Sequence, residues 1–129
     1  MSETVKRNSN VVELATVDQI PTYSSTSRDN ADGALPIVGW QCQRWGRIAF
    51  FNVSSPVSKA MANGTKTWLG SLWAPYLPAV DVANYPTQYG YVTIRRDTTT
   101  PSRADVSFTP SIDLTTSNYL YILVPYLTL

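Results

Sequence analysis

From Leu35 onward the chain divides into short apolar runs separated by Gly, Pro, Asn, Asp and Ser, and several of these runs alternate with a period of two. Gly90-Tyr91-Val92-Thr93-Ile94-Arg95 alternates strictly, with Tyr91, Thr93 and Arg95 to one side and Val92 and Ile94 to the other, the signature of a half-buried strand. Ala104 to Phe108 repeats it with Val106 and Phe108 inward, after a loop over Arg96 to Ser102. Arg47 to Val53, led by Gly46, is rich in β-branched and aromatic residues and predicts a further strand. Asn63-Gly64 predicts a turn, because both residues tolerate positive φ, and Thr65 to Leu72 predicts a strand with Trp68 on one face. Tyr119 to Val124 is apolar on both faces, which suits a central strand or one pressed against another subunit.

The first 34 residues differ. They are polar apart from a weakly apolar stretch, Val11 to Val17, which supports either a short helix or an extended strand, and they end in the Ser/Thr/Asp/Asn/Gly-rich run Tyr23 to Gly33. The pattern predicts two parts: an N-terminal arm and linker over residues 1–34, for docking or oligomer contact, and a β head over residues 35–129. Several short strands with no helical period give an all-β fold, an antiparallel β-sandwich or jelly-roll barrel.

Composition narrows the function classes. With 129 residues the chain suits one core-bearing domain, and 43% hydrophobic, 15% charged and 12% aromatic residues describe a globular β-rich protein. Ten basic and nine acidic residues leave a net charge of +1, and the one tight basic pair, Arg95-Arg96, is followed by Asp97, so no nucleic-acid partner is expected. No run resembles a signal peptide or spans a membrane, which predicts synthesis in a cytoplasm and no membrane partner. The single Cys42 forms no intramolecular disulfide and reads as a small buried hydrophobe. Asn52-Val53-Ser54 and Asn63-Gly64-Thr65 fit the glycosylation sequon by chance.

The chain has no histidine, so Ser-His-Asp and Cys-His mechanisms are excluded. Its carboxylates form no calcium loop, no zinc ligand set exists, and no glycine-rich phosphate cradle is present, so neither a metal nor a cofactor is expected. Two acids such as Asp81 and Asp105 are the minimum for glycoside hydrolysis, but isolated aspartates more often form turns, and no enzymatic activity is expected.

The aromatic residues carry a stronger signal. A flat ring stacks on the apolar face of a pyranose while adjacent Asp, Asn or Arg side chains hold its hydroxyls. The segment Trp73 to Tyr89 combines these types with Pro75, Pro78 and Pro86, which restrict its conformations and lower the entropy cost of binding. Trp73, Tyr76, Asp81, Tyr85, Tyr89 and Arg96 are therefore the candidate saccharide-binding residues. Tyr76, Tyr85 and Tyr89 are the expected surface contacts, and Trp68, inside a strand, the expected core ring. The competing reading gives the rings to the core or a subunit interface.

The order of motifs resembles a known family. A glycine-led strand, Gly46-Arg47-Ile48-Ala49-Phe50, precedes Thr67-Trp68-Leu69-Gly70-Ser71-Leu72; the Pro-containing loop Tyr76-Leu77-Pro78-Ala79-Val80, then Gly90-Tyr91-Val92-Thr93-Ile94 and Asp105-Val106-Ser107-Phe108, follow. Over residues 46–124 this is similar to the C-terminal head domain of tailed-phage receptor-binding proteins, tail fibres and baseplate appendages. Leu72-Trp73-Ala74-Pro75 departs from that pattern, where Leu-Pro directly follows the Trp strand. The resemblance implies a homotrimer located on a virion tail or surface appendage. It implies binding to host cell-wall polysaccharide or teichoic acid without turnover, and docking to other tail or baseplate proteins through the arm. The alternative is a capsid decoration or fibre protein that binds no glycan.

Overall fold

The computed structural model describes residues 22–23 and 34–129. It is an antiparallel β-sandwich of two four-stranded sheets. In chain order the strands are β1 (Thr22–Tyr23), β2 (Gly39–Trp45), β3 (Ile48–Pro56), β4 (Thr67–Trp73), β5 (Val82–Thr87), β6 (Gly90–Arg96), β7 (Arg103–Pro110) and β8 (Tyr119–Leu127). One sheet has the order β1-β2-β3-β8 and the other β4-β7-β6-β5. The two-layer, all-β expectation is met. The expected arm and linker lie almost wholly outside the described residues, apart from Thr22 and Tyr23, which pair with Arg44 and Gln43 at the edge of the first sheet, and Ala34, which is buried in the core.

Alternation sets the core. On β3, Ala49, Phe51 and Val53 face in; on β8, Leu120, Ile122 and Val124 do; on β6 and β7, Val92, Ile94, Val106 and Phe108 meet them from the opposite sheet. A one-residue slip in any of these strands would exchange its buried set for its exposed one, so register is strongly determined. Gly90 is required at its position, because a Cβ there would lie 2.2 Å from the Thr109 carbonyl oxygen and 2.9 Å from the Phe108 ring. Within the core, the Cys42 thiol lies 3.3 Å from the Tyr126 hydroxyl, which donates to the Tyr76 carbonyl at 2.8 Å. Burial pushes the Cys42 thiol up to about 11 and raises Tyr126 as well.

Two elements differ from the sequence reading. Gly39–Trp45 forms a strand that the polar Gln41, Gln43 and Arg44 conceal, because only Cys42 of its residues is fully buried. β8 is neither central nor cut short by Pro125; among the described strands it lies at the sheet edge with β3 as its ladder partner, and it runs on to Leu127. Its backbone explains the tolerance. Asn118 and Thr128 bond toward the β3 side, to Val57 and Arg47, so residues at the odd positions between them point their backbone groups away from β3. Pro125 occupies one of these outward positions, where its missing N–H breaks no ladder bond.

Candidate functional site

The segment Trp73 to Tyr89 is not the surface loop its composition suggests. Tyr76 is 5% exposed: the chain turns at Trp73 to Tyr76, closed by the Tyr76 N–H donating to the Trp73 carbonyl at 2.8 Å, and the ring goes into the core. Leu77 to Ala79 then runs beside the end of β8, with Ala79 donating to the Leu127 carbonyl and Leu129 to that of Leu77. Val82–Thr87 is strand β5, paired to β6 with an irregularity between Val82 and Tyr85, where Asn84 takes φ 53°. Tyr85 and Tyr89 both pack their rings against the core. Tyr76, expected at the surface, is thus corrected to the core, while Tyr85 and Tyr89 are half-buried and each keeps part of its surface exposed, because a sandwich of this size needs large side chains at its ends and along its edge strand to close the core.

Trp68 is corrected in the opposite sense. Strict alternation along Trp68-Leu69-Gly70-Ser71-Leu72-Trp73 would set Trp68, Gly70 and Leu72 on one face, but the register with β7 shifts between Trp68 and Gly70. The extra residue lets both Leu69 and Leu72 face the core while Trp68 and Trp73 emerge on the outer face, 41% and 39% exposed. Gly70 beside the bulge was the available signal, since an isolated glycine within a strand pattern often marks one.

Trp68 forms one wall of a cleft of about 440 Å³ over the outer face of the second sheet. Register places the floor. Trp68 stands opposite Ser107, and Ser107 opposite Thr93; on the next rung Ser71 stands opposite Asp105, and Asp105 opposite Arg95. Lys66 lies at one end of the cleft and Arg96-Asp97-Thr98 close the other. A second cleft of about 420 Å³ adjoins it across Arg96 to Thr98 and is lined also by Asp81, Pro78 and Pro101. Of the six sequence-named residues, Asp81 and Arg96 therefore stand at these clefts, and Trp73 lies on the same outer face, opposite Arg103.

The rim is fixed by ion pairs and turn bonds. Arg103 bridges two carboxylates, with one guanidinium nitrogen on Asp97 and Nε 3.1 Å from Asp105 Oδ1, and Asp105 also accepts from the Ser71 hydroxyl at 3.2 Å. Asp97 Oδ1 accepts from the Thr99 N–H and hydroxyl, each at 2.8 Å, and from the Thr100 N–H at 3.3 Å. These bonds, the Thr99 N–H first, hold the Asp97 carboxyl below its ordinary range, with Arg103 adding to them. Asp81 accepts from the Arg96 backbone N–H at 3.1 Å and lies 3.6 Å from Arg95 Nε, while Arg96 Nη2 donates to the Pro78 carbonyl at 3.3 Å. Asp81 thus positions the two arginines that end β6. Among the described residues no group of three potential metal ligands occurs.

Comparison of the chain with family models, with curated proteins and with solved structures finds no match. The reading of the site therefore rests on its own geometry.

Proposed function

We propose that this chain is a non-enzymatic viral receptor-binding head that recognises a saccharide of the host bacterial surface, a cell-wall polysaccharide or teichoic acid, and that it acts as a homotrimer on a tail or baseplate appendage. The observation that supports this reading is the half-exposed indole of Trp68 beside a fixed floor of Ser107, Thr93, Asp105 and Arg95. A pyranose needs an apolar plane and polar groups that reach its hydroxyls at once; this cleft offers both, on strands rather than on mobile loops. The use of the carboxylates supports a reading without turnover. Asp105 is ion-paired with Arg103 and accepts from Ser71, and Asp81 accepts from the Arg96 N–H beside Arg95, so both serve as anchored carboxylates.

A structural subunit that binds no glycan is the second reading, favoured by the uncharged outer face of the first sheet, which suits assembly alone. A screen of the full chain against immobilised bacterial surface polysaccharides separates the two. Saturable binding lost in Trp68→Ala supports the receptor-binding head; no binding to any glycan, with retained binding to virion proteins, favours the structural subunit.

A further inference from the structure

The first sheet presents an outer face of unusual chemistry. On β8 the odd-numbered residues point outward, and Tyr121 is 66% exposed, Leu123 55% and Leu127 58%. Ladder register sets Leu123 opposite Asn52, Pro125 opposite Phe50 and Leu127 opposite Ile48, and Ile48 in turn opposite Trp45 on β2. Trp45 and Phe50 meet edge to face at 5.6 Å, so the apolar side chains form one connected surface across three strands. Across β2, β3 and β8 the single charged residue is Arg44, which alternates with the outward Gln43 and Trp45 and so belongs to the inward set with Cys42.

We infer that this face is where copies of the chain meet, with a second copy packing over Tyr121, Leu123 and Leu127. Monomeric proteins rarely leave a connected apolar patch larger than a few hundred Å² in water. The exposed fractions here amount to on the order of 700 Å², close to the roughly 800 Å² per partner of a standard interface. The lack of charge identifies the occupant. A surface that must meet its own copy gains nothing from a charged cluster, because like charges then face each other or must be matched across the symmetry axis. The second sheet shows the contrast, its outer face carrying Arg95, Arg103 and Asp105. Edge strands that stay monomeric are commonly guarded by lysine, yet β8 carries no charge from Tyr119 to Leu127. This assignment leaves the Trp68 cleft, on the opposite sheet, free in the assembly, and it stands whether or not that cleft binds a saccharide.

Light scattering coupled to gel filtration on the full chain tests the inference. The wild type should elute at twice 14.3 kDa or a higher whole multiple of it. Leu123→Lys, which sets like charges against each other across the contact, should return it to the single-chain mass with an unchanged far-ultraviolet circular dichroism spectrum. Should Leu123→Lys fail to fold, the wild type alone decides: its Tm should rise by several degrees over a hundredfold increase in concentration, as for any assembly coupled to folding. A wild-type monomer with a concentration-independent Tm overturns the inference. So does a folded Leu123→Lys chain that keeps the oligomer mass, or a wild-type monomer that instead sediments with phosphatidylcholine vesicles, which would make the face a lipid contact.

Discussion

Replacing Trp68 by alanine removes the proposed stacking plane while sparing the core, because Leu69 and Leu72 carry the inward packing of β4. A pyranose laid on the exposed part of the indole takes on the order of 100 Å² of apolar surface from water, counting both partners, or about 2.5 kcal/mol at ~25 cal/mol/Å². Part of that contact survives against the β4 backbone and the aliphatic stem of Lys66, so the expected net loss is about 1–2 kcal/mol, a 5- to 30-fold rise in Kd per site, roughly. Trp68→Phe keeps a flat ring and should lose about 2-fold, on the scale of its smaller stacking area. Isothermal titration calorimetry with the best saccharide from the screen measures both, and urea unfolding of the same samples separates binding from folding. The half-exposed ring should cost less stability than the ~3–5 kcal/mol typical of a buried aromatic. Unchanged affinity in a folded Trp68→Ala chain would refute the site.

Tyr76→Ala should act on the fold rather than on binding, lowering stability by about 3–5 kcal/mol in urea unfolding, since its ring is buried; a neutral effect would place the ring outside the core. Gly90→Ala should destabilise by about 1–3 kcal/mol, because the new methyl meets the Thr109 carbonyl and the Phe108 ring. An unchanged urea midpoint would show that the β6–β7 pair yields without cost. Cys42, raised from its ordinary 9.0 to about 11, keeps its proton in the folded chain where the unfolded chain has lost it. Stability should therefore be insensitive to this group below pH 9 and fall as pH rises toward 11, by up to about 1.4 kcal/mol per pH unit. Cys42→Ala should flatten that slope in urea titrations, and an equal slope in both chains would assign the loss elsewhere.

The strands that alternate cleanly, around Val92 and Ile94 and around Val106 and Phe108, were legible in the sequence because each has one buried and one solvated face. β2 was hidden because its polar side chains interrupt the apolar signal. The site was displaced for a different reason. Composition drew attention to the Trp73 to Tyr89 segment, but whether a ring faces the core or the solvent depends on register, and a single bulge at Trp68–Gly70 inverted the expected orientation of Trp68. The turn at Trp73 to Tyr76 did the reverse for Tyr76. Neither effect has a period for sequence reading to detect. The β8 pattern was only half legible: its apolar faces were evident, but its place at the sheet edge required the pairing with β3.

The central claim is that a saccharide is held on the outer face of the second sheet, and the four tryptophan indole N–H resonances of the uniformly ¹⁵N-labelled chain report on it directly. Trp68 and Trp73 lie on that sheet, while Trp40 and Trp45 lie on the other. Titration with a binding polysaccharide fragment should shift the Trp68 indole together with the backbone amides of Thr93, Asp105 and Ser107, leaving Trp40 and Trp45 in place. Shifts confined to Trp45 and the β8 amides, with Trp68 unmoved at saturation, would contradict the account.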